Sequence, residues 1–318
     1  MLKLQSLKGH GSMLCANTMW GLMSPVAKLV FIGGVVGPLV MTNLRVVGAM
    51  LLFWLVSLFM PRETVRPRDH VKLFVASLLS IVFNQGCFIF GVSLTSPVDA
   101  SIITTSMPLV AMILAAIYLG EPITGRKVMG IAAGAAGALM LIVGGSASVP
   151  DASHVGSTRI WGDLLVLLAQ CSYASYIVLF KNFVSRYSPV TLMKWMFTYS
   201  FICLTPFSYT MFVSTEWAAL DFESVAGIAY VVVCGTFVPY LLVVVGQKNL
   251  RPTVAGMYNY VQPVVAAVLA ACWGMDSFNP VKVLSVVLIF AGVWLVTSSK
   301  SRAQMSADGD AHSADGRS

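Results

Sequence analysis

The chain contains ten long apolar segments, and no other feature limits its possible folds as strongly. Crossing a bilayer as a helix takes about 20 mostly apolar residues, which is close to the length of each segment. The segments are apolar on every face, whereas strands of a membrane barrel alternate apolar and polar residues. The sequence therefore predicts an all-α membrane protein with ten transmembrane helices. The predicted spans are roughly 12–31, 37–60, 71–94, 99–119, 127–145, 161–181, 190–213, 224–245, 253–273 and 281–299.

The composition of the chain supports this class of protein. Apolar residues make up 57% of the 318 residues and charged residues only 10%, whereas soluble proteins carry about 25% charged residues. So few charges cannot cover a surface that faces water. The six cysteines all lie inside apolar runs without paired spacing, which indicates packing residues. We predict no disulfide, no metal site and no cofactor.

The basic residues are unevenly distributed between the predicted loops. With a cytoplasmic N-terminus and ten alternating helices, sixteen of the 20 Lys and Arg residues fall on the cytoplasmic side and three on the other. Orientation follows this bias, which predicts a multi-pass protein of the inner membrane with both termini in the cytoplasm. Because the basic residues act as topology signals, we predict no nucleic-acid partner.

One long stretch of the chain occurs twice. Residues 91–142 align without a gap to residues 246–297, which lie 155 positions later. Thirteen of the 52 aligned positions are identical, and Pro108 is matched with Pro263. Matched proline and glycine residues weigh most, because they fix backbone geometry as well as hydrophobicity. The alignment predicts two copies of one membrane unit.

Each predicted copy contains five helices, so the second must enter the membrane in the opposite orientation. The first copy covers 12–145, the second covers 159–299, and the polar segment 300–318 is predicted to be a disordered cytoplasmic tail. Inverted repeats are a known basis of alternating access, because the halves can exchange inward-open and outward-open conformations. The repeat organisation therefore predicts a secondary transporter.

Short motifs recur along both copies of the unit. They are Trp20-Gly21 with Lys28, Arg45, Ala100, Pro108, Gly120-Glu121-Pro122-Ile123-Thr124, Gly130, Gly137, Pro263 and Gly292. On these motifs the chain resembles the EamA-type transporters of the drug/metabolite transporter superfamily, over about 12–299. The second copy departs from the pattern at Asp276-Ser277, which replace Glu121-Pro122. The resemblance implies a ten-helix carrier of small metabolites, often an exporter, whose central cavity is walled by helices 1–4 and 6–9.

Arg45 is a charged side chain predicted to lie inside the membrane. It follows Pro38 by about seven residues, or roughly 10 Å of helical rise. A charge at the bilayer centre costs about 2.5–3.5 kcal/mol on insertion scales. Two interpretations are open. Arg45 contacts an anionic or carboxylate group of the substrate in a cavity, or it is a structural residue bonded to loop carbonyls at the outer helix ends.

Two proline-containing sequences occupy equivalent positions in the fourth and ninth predicted spans. Proline frees a backbone carbonyl, and broken helices of repeat transporters tend to bind substrate near the middle of the membrane. Asn259 and Gln262 also share a helix face, because they are three residues apart. A kink that only shapes helix packing is the alternative. The candidate substrate-binding residues of these two sequences are Thr104, Pro108, Tyr258, Asn259, Gln262 and Pro263.

Other polar and aromatic side chains inside the predicted spans complete the candidate site. Such side chains are costly in hydrocarbon, so they are expected to face the bundle interior or a wet cavity. For the tyrosines, anchoring at the membrane interface is the alternative to a cavity role. The remaining candidate substrate-binding residues are Asn17, Trp20, Asn84, Gln85, Gln170, Tyr173 and Tyr240.

The partners predicted from the sequence are a small-molecule substrate and the lipid bilayer. Gly130, Gly134 and Gly137 form a stripe of small residues along the fifth predicted helix. Close helix packing explains such a stripe, and a homodimer contact through small-residue helix faces is the second option.

A membrane-embedded sensor or enzyme acting on a lipid or metabolite is the competing interpretation. The four histidines lie at helix edges, in loops or in the tail, and Asp99 and Asp163 lie near helix starts. Catalysis within the membrane requires a reactive pair or a metal centre there, and the sequence has no pattern of either kind. The sequence therefore favours a transporter that is not an enzyme, for an amino acid, a nucleoside-like compound or an amphipathic compound.

Overall fold

The computed structural model describes residues 2–94, 103–145, 157–272 and 280–299. These residues are helical and contain no β-strand, which confirms the all-α prediction for the described part of the chain. The α-helices are α1 Leu2–Ile32, α2 Pro38–Leu58, α3 Pro67–Ser77, α4 Phe83–Leu94, α5 Met107–Leu119, α6 Gly125–Gly145, α7 Ser157–Leu179, α8 Lys181–Val184, α9 Pro189–Val213, α10 Phe222–Val232, α11 Val238–Asn249, α12 Pro252–Met257, α13 Val261–Cys272 and α14 Pro280–Thr297.

Proline and glycine mark many of the helix ends. α2, α3, α9 and α12 begin at Pro38, Pro67, Pro189 and Pro252. Proline suits this position because its missing N–H would have no helical acceptor and its φ angle is already helical. α5 is followed by Gly120 in the left-handed conformation, with φ 62°. Glycine adopts this conformation without steric cost, so it ends the helix cleanly.

Two π-helical segments interrupt long helices at matched positions. The first π segment, Leu78–Val82, joins α3 to α4, and the second π segment, Val233–Phe237, joins α10 to α11. A 3₁₀ turn at Tyr258–Tyr260 separates α12 from α13. The two π segments are 155 residues apart, which is the offset found in the sequence. The repeat therefore extends to the places where the helices deviate from α geometry.

Helical residues cover the described part of every predicted span, with ends that shift by a few residues in most spans. α1 begins at Leu2, well before the predicted start near residue 12, because the intervening residues include good helix formers such as Leu, Lys and Gln. The predicted disordered tail at 300–318 lies outside the described residues.

Five helical stretches of the described residues are long and apolar enough to cross a membrane. Two shorter apolar helices are Met107–Leu119 and Val283–Thr297. That the chain crosses the membrane ten times therefore stays a prediction. The five long stretches are Pro38–Leu58, Pro67–Phe88, Ile160–Leu179, Pro189–Val213 and Phe222–Asn249.

α6 and α14 pack against each other through glycine. A Cβ atom at Gly130 would lie 2.7 Å from the Gly292 carbonyl oxygen, and a Cβ at Gly137 would lie 2.6 Å from the Ser285 carbonyl oxygen. A Cβ at Gly134 would lie 2.7 Å from the ring of Tyr260. The glycine stripe is thus covered within the chain, as close helix packing requires. A homodimer stays a prediction, and it would need a different surface.

The interrupted helices meet near the centre of the bundle. α1 packs against α11 and α13, α4 packs against α7, and α2 packs against α9. Trp20 of α1 contacts two of the buried apolar clusters, one built around Phe53 and Phe197 and the other around Met257 and Tyr260. This arrangement brings polar side chains from both halves of the chain to the same region.

Candidate functional site

The guanidinium group of Arg45 lies at the centre of the candidate site. Its Nε donates a hydrogen bond to Thr236 Oγ1 at 2.9 Å, and its Nη1 donates to Gln85 Oε1 at 3.3 Å. Gln85 in turn donates from Nε2 to the hydroxyl oxygen of Tyr240 at 3.3 Å. One network therefore joins α2, α4, the second π segment and α11. Among the described residues, the partners of Arg45 are side chains of helical residues, and no loop carbonyl bonds to it.

The charge of Arg45 has no carboxylate partner in the described part of the chain. The ion pairs found there within 4.0 Å join Lys72 to Asp69 and Lys127 to Glu121, and neither involves Arg45. Its two partners are neutral, so they satisfy hydrogen bonds without compensating the charge. An anion at this position would meet a guanidinium that is already held in place.

A small cavity adjoins the Arg45 network. About 10 Å³ is open to the centre of a water molecule, which is roughly the space for a single water. Polar side chains cover one part of its wall, and Val46, Ile81 and Phe197 cover the other. The cavity beside Arg45 is therefore small, with mixed polar and apolar walls.

Side chains of neighbouring helices bond to carbonyl groups of both π segments. The Trp20 Nε1–H donates to the Gly235 carbonyl at 3.1 Å, and the Ser172 hydroxyl donates to the Leu79 carbonyl at 2.8 Å. A π segment disturbs the regular helical bonding pattern, so its carbonyls are available to such donors. Each half of the chain thus bonds to the interrupted helix of the other half.

A second polar group links α1 to the helix that follows the 3₁₀ turn. Gln262 donates from Nε2 to Asn17 Oδ1 at 2.8 Å, and a longer contact of 3.5 Å joins it to Asn259 Oδ1. Asn17 is fully buried and donates to the Met13 carbonyl at 2.8 Å. The three amide side chains were all candidates from the sequence, and the structure brings them together.

Trp20 lies between the two polar groups. Its ring packs edge-on against Tyr240, with 5.7 Å between the ring centroids. Next to it, a Cβ atom at Gly21 would lie 2.8 Å from the Gln262 carbonyl oxygen, so α1 and α13 are in close contact. Trp20 and Gly21 thus bring α1 into contact with both polar groups.

Tyr258 does not join either group. Its hydroxyl makes a 2.8 Å hydrogen bond with His10 Nδ1, near the start of α1. The sequence had placed His10 at the membrane edge and Tyr258 deeper, as a candidate cavity residue. Their contact could not be inferred from spacing, because 248 residues separate them.

The remaining candidates lie among helix contacts. Asn84 donates from Nδ2 to the Ala169 carbonyl at 3.0 Å, which links α4 to α7. Gln170 is buried, and Tyr173 is buried in a stack with Tyr176 at 6.2 Å between ring centroids. Thr104 is partly buried and helical, just before the turn that precedes α5. None of these four residues lines the cavity beside Arg45.

The two prolines lie in the first turns of the helices that follow the breaks. Pro108 is the second residue of α5, and Pro263 is the third residue of α13. The two breaks touch, because the Tyr260 hydroxyl donates to the Thr105 carbonyl at 2.9 Å. The hydroxyl of Ser106, at the first break, is buried and has no hydrogen-bond partner among the residues that the structure describes. Such a group is available to a ligand or water.

Replacement of the prolines tests whether the breaks matter for transport. We expect Pro108→Ala and Pro263→Ala to lower the transport rate about tenfold, equivalent to about 1.4 kcal/mol in the barrier, since each removes a constraint at a hinge. Membrane insertion should be normal, because an alanine is tolerated in a first turn. Pro206→Ala is the matched control, since Pro206 lies inside α9 on an exposed face. Normal transport by both test variants would show that the prolines serve packing only.

Two members of the site were not predicted from the sequence. Thr236 lies within the eighth predicted span but was not among the candidates, and the Gly235 carbonyl was not considered. Both belong to the second π segment, which hydropathy cannot reveal because the segment is as apolar as its surroundings. The pair Gly235-Thr236 interrupts a run rich in valine, and this was the available signal. A small residue followed by a hydroxyl residue within a span can expose backbone and side-chain polar groups together.

These observations define a helical membrane protein whose interrupted helices surround a positive charge that has no carboxylate partner in the part of the chain that the structure describes. The chain belongs to the EamA-like transporter family, which it matches twice, over residues 7–143 and 160–298. The match confirms the resemblance seen in the motifs. It identifies a multi-pass membrane transporter, and the two matched regions follow the two copies recognised in the sequence.

Relatives extend over nearly the whole chain. An uncharacterized transporter of Bacillus subtilis, YetK, is 21% identical over 314 residues, covering 94% of this chain and 93% of its own length. The uncharacterized inner membrane transporter YedA of Escherichia coli is 24% identical and covers 83% of this chain and 82% of its own length. A protein of known crystal structure shares the fold with a TM-score of 0.73 at 18% identity, over 92% of this chain and 98% of its own.

Proposed function

We propose that the protein is a secondary transporter that moves a small organic metabolite by alternating access and binds an anionic group of that substrate through Arg45. The observation that carries the proposal is the guanidinium of Arg45, which has no carboxylate partner among the described residues and lies beside a small cavity. A charge within a membrane span is costly, so its retention without a carboxylate partner favours a role in binding.

The wall of the cavity fits a substrate that is only partly polar. Gln85, Thr236 and Tyr240 supply hydrogen-bonding groups, and Phe197 supplies aromatic surface next to Tyr240. Trp20 packs on Tyr240 without lining the cavity. An amino acid or another small carboxylate with an apolar part matches this combination. Because the cavity has room for only about one water, binding would require a conformation that is open around Arg45.

We further propose that the two halves are inverted repeats. Three features support this: the family match on each half, the two π segments with the same offset as the sequence repeat, and the contact between the breaks before α5 and α13. Exchange of conformation between such halves would open the Arg45 site to each side of the membrane in turn. Export from the cytoplasm across the inner membrane belongs to the same proposal and rests on the family resemblance.

The proposed function can be tested with the purified protein. Amino acids, nucleosides, amphipathic cations and small carboxylates would be screened for thermal stabilisation, since a ligand at 100 times its Kd stabilises the folded state by about 2.7 kcal/mol. Compounds that stabilise the protein would then be tested for counterflow in proteoliposomes. We expect carboxylates to be the active class. Stabilisation by cations alone, or binding without counterflow, would contradict the proposal.

Membrane topology provides a separate test of the inverted repeat. Single cysteines would be introduced at Arg66, Ser153, Thr215 and Ser301 of a cysteine-free variant and labelled with an impermeant reagent. Because an odd number of helices reverses the orientation, we expect Arg66 and Ser301 to be cytoplasmic and Ser153 and Thr215 to be external. Labelling of Ser153 and Ser301 from the same side would contradict five helices per repeat.

A further inference from the structure

A second and much larger cavity lies far from Arg45 in the fold, at the loop between α2 and α3. It has a volume of about 760 Å³, within the range of about 300–1,000 Å³ that is usual for ligand sites. Arg62 and Arg66 line it from this loop, and Arg186 lines it from the segment between α8 and α9. We call this cavity, with its three arginines, the arginine basin.

The guanidinium groups of the basin form no ion pair within 4.0 Å among the described residues, although Arg66 and Arg186 interact electrostatically with the Asp69 carboxylate at longer range. Arg62, Arg66 and Arg186 are all exposed. The backbone N–H of Arg66 contacts the Tyr187 hydroxyl at 3.4 Å, while no hydrogen bond from its side chain is found in this part of the structure. Three planar, bidentate donors therefore line one pocket, and none of them makes a side-chain hydrogen bond that is found among the described residues.

The two carboxylates of the basin are already occupied. Glu63 accepts from the Ser188 backbone N–H at 3.0 and 3.2 Å, and Asp69 accepts from the Tyr187 hydroxyl at 2.7 Å. Burial alone would raise the pKa of Glu63, but hydrogen bonds from Thr191 and Ser188 outweigh it and hold this pKa below its ordinary value. The acidic groups thus fix the floor of the basin and leave the arginines available to an external anion.

The position of the basin indicates where that anion comes from. α2 ends at Leu58, and the side chains of Leu58 and Phe59 are 75% and 83% exposed. α3, which begins a predicted crossing, starts at Pro67. The arginines between these points therefore lie at the boundary of the apolar surface, where hydrocarbon gives way to phospholipid headgroups.

We propose that the arginine basin binds the phosphate headgroup of an anionic glycerophospholipid. The phosphodiester oxygens would accept hydrogen bonds from Arg62, Arg66 and Arg186, and the acyl chains would lie along the exposed apolar end of α2. The headgroup would then bridge the α2–α3 loop to the segment before α9. This bridge would join the two halves of the chain through a lipid.

The test compares binding of dioleoyl phosphatidylglycerol and dioleoyl phosphatidylcholine to the full-length protein in detergent, by native mass spectrometry. We expect at least tenfold tighter binding of phosphatidylglycerol, weakened by salt because the contacts are exposed. The triple variant Arg62→Gln, Arg66→Gln, Arg186→Gln should lose this preference. The triple variant with lysine at the same positions should keep part of it, since it keeps the charge.

A second triple variant provides the matched control. Lys8→Gln, Arg68→Gln and Arg126→Gln remove the same charge from exposed positions that do not line the basin. This variant should retain the lipid preference within about twofold. It lowers the general attraction to an anionic lipid as much as the basin variant does, but it removes no direct contact with the headgroup. An equal loss in both triple variants would overturn the proposal.

Two further outcomes would also overturn it. Equal binding of the two lipids by the unmodified protein would show that the basin does not select an anionic headgroup. Displacement of phosphatidylglycerol by millimolar glycerol phosphate or inorganic phosphate would assign the basin to a soluble anion. Should the triple glutamine variant fail to fold, the three single variants serve instead, and each is expected to lower the lipid preference by at least twofold.

Discussion

Arg45→Gln is expected to weaken substrate binding by roughly tenfold to a hundredfold. A hydrogen bond to a charged group contributes about 1.5–3 kcal/mol, and each 1.4 kcal/mol changes affinity about tenfold. Arg45→Lys keeps the charge but loses the planar fork, so its affinity should fall between those of the wild type and Arg45→Gln. The measurements are substrate affinity and melting temperature on the same purified variants.

Stability should change little in Arg45→Gln. The amide of glutamine can still bond to Thr236 and Gln85, and removal of a membrane charge is not in itself unfavourable. The matched control is Asn43→Ala, two residues away. Asn43 is buried and donates to Ser208 and Thr205 of α9, so its loss should cost about 1–3 kcal/mol of stability without changing affinity. A large loss of stability in Arg45→Gln, with unchanged affinity per folded molecule, would make Arg45 a structural residue.

Gly292→Ala should destabilise the protein by about 1–3 kcal/mol, the usual cost of overpacking, and Gly292→Val should cost more. A Cβ at this position would lie 2.5 Å from the Gly130 carbonyl oxygen and 2.7 Å from the Gly134 nitrogen. Both contacts are with backbone atoms, so α6 and α14 would have to separate. Thermal unfolding in detergent, followed by loss of helical circular dichroism, measures the effect.

Gly125→Ala is the control for this helix pair. Gly125 starts α6, and nothing lies within 4 Å of a Cβ built there. Because alanine is the better helix former by up to about 1 kcal/mol, this change should leave stability unchanged or raise it. Equal melting temperatures for Gly292→Ala and Gly125→Ala would show that the α6–α14 contact adapts without cost.

The sequence predicted the helices well because their signals are local. Apolar runs of span length appear in the structure as helices, and prolines such as Pro38, Pro67 and Pro189 mark their starts within one to four residues of the predicted ones. The ungapped repeat also predicted that irregularities would recur at one offset. It did not predict that they include π segments, because an extra residue in a helical turn leaves no mark in hydropathy.

The candidate site was predicted only in part. Arg45, Gln85 and Tyr240 meet in one network, and Asn17, Asn259 and Gln262 meet in another. Asn84 and Tyr258 were candidates on the same grounds. Asn84 instead bonds to a backbone carbonyl of α7, and Tyr258 bonds to His10. Polarity within a span predicts that a side chain faces protein or water, and it does not predict which neighbour it will meet.

The sequence by itself determined the helical class and the family, and it predicts the duplicated organisation, since each depends on local composition or on aligned motifs. Only the tertiary structure decided the rotation of each helix about its own axis. In a membrane helix the surfaces toward lipid and toward protein are both apolar, so the hydrophobic pattern does not set this rotation. The contact of Arg45 with Thr236, which is 191 residues away, and the packing of Gly130 against Gly292 depend on how the helices associate.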